Sequence, residues 1–350
     1  MNENGARREA RGDRPEPGST GPQTTSSGPS PLAPRPHSSP RQRAWRRLRR
    51  NRVAVFSGLF LFAVVLLALI WPGLERPGIA SLVPRAMTWA PTSLSDAQFQ
   101  PPSATHWFGT DVHGRDLLSR VFYGARISLV VGVVGAVVSL VIGVLWGAIA
   151  GYVGGRWDSV LMRLVDVLYS LPSLVFVIVL IALLEEPFKR WLSWNFFPEA
   201  GAAANMLLLF AGLGAVSWLT MARIVRGQVL SLRTRPFVDA SRALGASHTR
   251  ILLRHILPNV GGIIITYLTL TIPSILLYES FLSYLGLGIQ PPQASLGSLL
   301  AEGAAQINPI RIYWWMIVFP ALTLASTLFA LNFLGDGLRD AWDPRKTVER

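Results

Sequence analysis

The sequence predicts an all-α polytopic membrane protein with six transmembrane helices and both termini in the cytoplasm, and three observations carry that prediction. Half of the 350 residues are hydrophobic and only 15% are charged, with a mean hydropathy of +0.37. That is more apolar surface than one soluble core of this size needs. The apolar residues gather into runs long enough to cross a bilayer at about 1.5 Å of rise per residue. Basic residues concentrate in the segments that such a topology leaves on one side.

In chain order, residues 1–40 are dominated by Pro, Gly, Ser, Thr and Arg. With almost nothing large and apolar to bury, this tail cannot offset the entropy of ordering itself and is expected to be disordered and cytoplasmic. Residues 41–52 pack Arg41, Arg43, Arg46, Arg47, Arg49, Arg50 and Arg52 against a first span at 53–71, and these arginines hold that end inside. No A-x-A-like site follows, so the run reads as a membrane helix and not a cleaved signal. A polar connection then runs outside to about 127. Its last part, 114–127, places Leu117, Leu118, Val121 and Phe122 on one helical face with Arg115, Arg120 and Arg126 around it, the pattern of an interfacial amphipathic helix.

Further spans follow at 129–150, at 160–184 with Pro172 inside it, at 206–222, at 260–285 and at 313–334. Trp191, Trp194, Phe196 and Phe197 precede the fourth and suit the headgroup level. The charges test the topology: 223–254, placed inside, carries Arg223, Arg226, Arg233, Arg235, Arg242, Arg250 and Arg254 against Asp239 alone. The loop 286–312, placed outside, carries only Arg311 and Glu302. The tail 335–350, with Arg339, Arg345, Lys346 and Arg350, agrees in sign.

Several function classes fall away. The net charge of +13 sits beside hydrophobic runs and not in an aromatic-interleaved patch, which points to membrane lipid and away from nucleic acid. Without cysteine there is no disulfide or thiolate chemistry. No GxxxxGK[ST] loop, LSGGQ-like run or HExxH occurs, so the chain is read as a non-enzyme that binds no nucleotide, cofactor or metal of its own. His106, Asp111, His113 and Asp116 form a cluster outside that reads as a hydrogen-bonded turn ahead of a metal site. Arg163 and Asp166, three apart, are expected to pair on one face of the third span. Glu279 stands roughly 30 Å up the fifth span at helical rise. Either it lines a path or meets an outer partner, or it is a plain interfacial carboxylate.

The segment 223–258 is too long for a turn and too charged for lipid. Pro236 suits a first helical turn, Phe237 to Leu244 continue it, Gly245 supplies a stop, Ser247 caps a second helix through Ile256, and Pro258 opens the fifth span. Ala240, Ser241, Ala243, Gly245 and Ala246 permit close approach by another backbone, while Phe237 and Leu244 suit a partner's pocket. An amphipathic helix resting on anionic lipid satisfies the same periodicity. His248 and His255 are expected at the surface.

DASRALGASHTRILLRHILP resembles the EAA loop of ABC importer permeases, with Asp239, Ala240, Ser241, Gly245, Leu257 and Pro258 at the patterned positions. Asp239 replaces the usual Glu, Ser241 the second Ala, and His255 an aliphatic residue. HWFGTDVHGRDLLSRVFYGARISLVVG at 106–132, AGYVGGRWDSVLMRLVDVLYSLPSL at 150–174, ESFLSYLGLGIQPPQASLGSLLAEG at 279–303 and NFLGDGLRDAWDPR at 332–345 resemble the C-type permease subunit of dipeptide and oligopeptide importers. The likeness runs from about Trp45 onward and leaves out 1–40 and 185–205.

The resemblance implies the type I ABC importer permease fold in the cell membrane. It also implies a B-type permease partner, two cytoplasmic ATPase subunits that hydrolyse the ATP, and an extracytoplasmic binding protein. In this reading Phe237, Asp239, Ala240, Ser241, Arg242, Leu244, Gly245, Leu257 and Pro258 form the ATPase-coupling loop, and Glu279 lines the substrate path or contacts the binding protein. The expected cargo is a di- or oligopeptide. The same machinery importing nickel or another small solute is the alternative, and an ATP-independent secondary transporter is the rival from another class.

Overall fold

The computed structural model describes residues 40–74, 84, 87–195 and 204–342. The expected disorder over 1–39, the aromatics Phe196 and Phe197, and Arg345, Lys346 and Arg350 lie outside the described residues. Among the described residues the chain is helical, without named strands and with one isolated bridge between Thr110 and Asp116. Five helices are long and apolar enough to cross a membrane, and a bent pair makes a sixth candidate span.

Helices α1 (Pro40–Arg50) and α2 (Arg52–Leu74) are parted by Asn51 alone. The Asn51 carboxamide oxygen accepts from the Ala54 N–H at 3.1 Å, capping α2. Next comes α3 (Leu117–Val153), a single helix of 37 residues. The sequence suggested an amphipathic helix over 114–127 separate from a span at 129–150, and the structure joins them. At 1.5 Å per residue α3 is about 55 Å long against an apolar layer about 30 Å thick, so its first turns stand clear of the lipid interior. They do not rest on a membrane surface: Leu117 and Val121 are buried against Trp315, Met316 and Leu299.

Helix α4 (Gly155–Tyr169) and helix α5 (Ser173–Asn195) meet at 88°. Pro172 lacks an N–H and disfavours helical geometry at the residue before it, which breaks the third span there. Helix α6 (Ala204–Leu232) runs well past the expected exit at Ala222. Two ion pairs from α4 lie along this extension. Arg226 forks onto Asp158 at 2.5 and 2.7 Å, and Arg223 reaches Asp166 at 2.7 Å. Asp166 therefore pairs across helices with Arg223, and not with Arg163 on its own helix.

The most extensive helix pairing joins α3 to α6. Gly143, Gly147 and Gly151 face α6 at four-residue intervals, and a Cβ on any of them would strike it. At Gly143 the obstacle is Met221 at 2.6 Å, at Gly147 the carbonyl of Ala222, and at Gly151 the carbonyl of Arg226 at 2.8 Å. The two backbones thus touch along the seam, as small residues permit in membrane helices.

After α6 come α7 (Pro236–Ala243), the short α8 (His248–Ile251), a π-helical stretch Leu252–Ile256, and α9 (Leu257–Tyr284), with Pro258 tolerated in the first turn of α9. Helices α10 (Leu296–Ala305) and α11 (Trp315–Trp342) complete the order. A Cβ at Gly337 would meet Ala54 and Leu48, and one at Gly262 would meet Trp342 at 3.3 Å. The start of α2, the end of α11 and the start of α9 are thereby gathered at one end, with the 233–256 loop beside them. The opposite end carries α10 and the 87–116 segment.

Candidate functional site

The 233–256 loop is held from beneath by apolar side chains. Val238, Ile251 and Ile256, all fully buried, pack with Ala148 of α3 and Met221, Val225 and Val229 of α6. Each such burial stabilises by about 1.5–3 kcal/mol. The exposed Asp239–Arg242 pair, 3.2 Å apart, belongs to a class worth about 0–1 kcal/mol, so packing and not charge fixes the loop.

Local chemistry shapes its backbone. Pro236 fills the first turn of α7, and Gly245 has φ +77, left-handed geometry that a Cβ disfavours. The Ser247 hydroxyl accepts from the Arg250 N–H at 3.4 Å to cap α8. Two further contacts tie the loop to the end of α3. Arg233 Nη1 donates to the Gly151 and Tyr152 carbonyls at 3.2 and 3.3 Å, satisfying the open end of that helix. The Tyr152 hydroxyl lies 2.9 Å from His248 Nδ1.

On the solvent side Phe237 is 40% and Leu244 88% exposed. Asp239, Ala240, Arg242, Gly245 and Pro258 are exposed too, while Ser241 and Leu257 are half-buried. Asp239 and Arg242 also line a cavity of about 790 Å³, together with Tyr152, Arg233, Thr234 and His248. The site is an apolar tip beside a polar recess on a fixed base.

Glu279 is somewhere else altogether. It is fully buried in α9, with Ser128 and Ser283 hydroxyls donating to its carboxylate at 2.8 Å and Ser280 at 3.3 Å. Ser128 also accepts from the Leu296 N–H at 3.2 Å. The carboxylate therefore ties α3, α9 and the first turn of α10 together, and this chain's own atoms enclose it, so it does not stand as a plain interfacial carboxylate.

The cluster before α3 is a hydrogen-bonded turn. Asp116 caps α3 by accepting from the Ser119 N–H at 2.9 Å, and His106 Nδ1 lies 2.9 Å from its other oxygen. Burial pushes the Asp116 carboxyl above its ordinary pKa, against the hydrogen bonds from Ser119 and His106. Asp111 accepts from the N–H groups of His113 and Arg115 and from both arginine side chains, Arg115 at 2.7 Å and Arg120 at 2.6 Å. Glu302 of α10 closes the network on Arg120 at 2.5 and 2.8 Å.

Comparison with known proteins places this architecture. Residues 143–348 match the family described as the binding-protein-dependent transport system inner membrane component. The chain belongs to that family. Residues 39–102 match the N-terminal TM domain of oligopeptide transport permease C. The permease is 47% identical over 305 residues to the oligopeptide transport system permease protein OppC of Salmonella typhimurium, spanning 87% of this chain and 91% of that one. It is 43% identical over 311 residues to the dipeptide transport system permease protein DppC of Bacillus subtilis, spanning 89% and 88%. Against a solved inward-facing MetNI methionine ABC transporter chain the TM-score is 0.48 at 17% identity, over 65% of this chain and 96% of the other.

The first of these family matches runs from mid-α3 past α11, with the loop inside it. Val238, Ile251, Tyr152 and Arg233 are the permease residues that sequence reasoning missed. Val238 and Ile251 had a weak signal, as the apolar positions facing away from Phe237 and Leu244. Arg233 had none, because its partners lie 81 and 82 residues away.

Proposed function

We propose that this chain is the transmembrane permease subunit of an ATP-driven importer of di- or oligopeptides, forming half of the path with a homologous B-type permease. Two cytoplasmic ATPase subunits hydrolyse the ATP, and an extracytoplasmic binding protein delivers the peptide. The loop end faces the cytoplasm, and both termini are cytoplasmic in this reading. The observation that carries the reading is the 47% identity across nearly the whole of an oligopeptide permease, combined with an exposed Phe237 and Leu244 on a rigid base.

The geometry supports a coupling role by simple mechanics. Because Val238, Ile251 and Ile256 are packed into the α3–α6 pair, a push on Leu244 displaces that pair as a body, which alternating access requires. Phe237 and Leu244 anchor in the ATPase, Asp239 and Arg242 meet its charges, Ala240 and Ser241 allow its backbone close, and Leu257 with Pro258 joins the loop to α9.

The test is co-purification of the ATPase subunits with the permease pair, alongside uptake of a labelled peptide. The wild type should retain ATPase and accumulate peptide. Interface anchors contribute about 2 kcal/mol or more each, so Phe237→Asp with Leu244→Asp should lose the ATPase at least about thirtyfold while still inserting. Retained ATPase in that variant would refute the docking site, whereas nickel uptake without peptide uptake would refute the cargo alone.

A further inference from the structure

We propose that α1, with Arg52 at the head of α2, is a binding site for anionic phospholipid headgroups. Helix α1 is two-faced. Ala44 is buried and Leu48 half-buried, on the side that packs against α11, while Trp45, Arg46, Arg49 and Arg50 are exposed. Arg52 is exposed as well, and among the described residues no carboxylate pairs with Arg46, Arg49, Arg50 or Arg52. Four guanidinium groups within seven residues therefore face outward with their charge unanswered.

Their height relative to the lipid follows from α2. Phe56, Leu59 and Phe62 are 73%, 63% and 65% exposed, an apolar column that marks where acyl chains begin. Phe56 stands about 6 Å above Arg52 at helical rise, so the arginines occupy the headgroup layer. Since Asn51 alone separates the helices and its side chain caps α2, α1 cannot swing away from that layer. The Arg49 guanidinium lies 5.0 Å from the centroid of the half-exposed Trp45 ring, an amphipathic pair suited to the same depth. A nucleic acid or an acidic protein would satisfy the arginines but not the tryptophan and the adjoining apolar column. Lipid phosphate satisfies all three. The inference does not depend on which solute is carried, nor on orientation when both leaflets are alike.

The experiment uses the assembled complex in nanodiscs of mixed phosphatidylcholine and phosphatidylglycerol, doped with a photoactivatable analogue of one lipid or the other. Labelling of the 40–52 peptides is read by mass spectrometry. The phosphatidylglycerol probe should label this segment preferentially, and R46Q/R49Q/R50Q should cut that preference at least about fivefold, the effect of a single basic residue at an anionic surface. R46K/R49K/R50K should keep it. Equal labelling by the two probes, or an unchanged preference in the glutamine variant, would overturn the site. Should that variant fail to insert, wild-type labelling decides: the preference must collapse near 1 M salt, where screening acts within about 3 Å, and its persistence overturns the proposal. Protection of α1 by bound ATPase subunits would reassign the surface to protein and equally overturn it.

Discussion

The two ends of the permease are stabilised in opposite ways. At the far end charged groups are buried and fully answered: Arg120 is 3% exposed between Asp111 and Glu302, and Glu279 sits among serines. At the loop end the ion pairs are part-exposed, the large apolar tips face solvent, and Asp239 and Arg242 line an open recess. A buried charge network fixes one arrangement because every half-broken alternative is costly. A packed base with a bare tip instead fixes its own shape while leaving its outer surface for another molecule. The difference separates a clamp closed within the chain from a packed base that leaves its apolar tip uncovered.

The largest effect that would break this contrast is at Arg120. Arg120→Ala takes the buried guanidinium from Asp111 and Glu302, leaving Arg115 alone to answer both, and should cost about 3 kcal/mol, read as a lowered melting temperature of the detergent-solubilised subunit. A loss under 1 kcal/mol would show that the far end is not clamped by charge. Next comes the seam that joins the ends. Gly147→Leu pushes a side chain into the Ala222 carbonyl and should destabilise by about 1–3 kcal/mol, with peptide uptake lost along with stability.

A smaller change sharpens the loop side. Nothing lies within 4 Å of a Cβ at Gly245, so any cost there comes from φ alone. Gly245→Val should cost about 1–2 kcal/mol and uncouple uptake from ATP hydrolysis with insertion intact, while Gly245→Asn, which tolerates left-handed geometry, should retain coupling. Equal uptake by both variants would detach function from this turn. The smallest effect concerns Asp116. A carboxyl whose pKa is raised by burial holds its proton more tightly folded than unfolded. Its contribution to stability is therefore complete below the ordinary value of 3.8 and fades as pH rises through the raised one. Asp116→Asn keeps the cap and should flatten the part of the stability profile that lies above pH 3.8, followed by thermal melting.

The loop was the more legible of the two ends. Pro236, Gly245 and Ser247 act on their immediate neighbours, so their spacing alone foretold helix, turn and capped helix. The far end depends on partners distant in the chain. Arg120 looked like a surface arginine of an interfacial helix because Glu302 is invisible from 114–127, and the serines around Glu279 went unseen because Ser128 belongs to another span. Asp166 was assigned to Arg163 by the same blindness: an i,i+3 neighbour is visible in a sequence and an α6 arginine is not. No Gly or Pro interrupts 125–131, which was the available sign that α3 is continuous.

Those separations also order events during synthesis. The end of α3 waits 82 residues for Arg233, and the loop is seated soon after as Ile251 and Ile256 emerge. Arg120 must wait 182 residues for Glu302. The loop end can thus be finished while the ribosome is still translating, and a nascent chain halted before α10 would carry a complete loop while Arg120, at the other end, held Asp111 but still lacked Glu302.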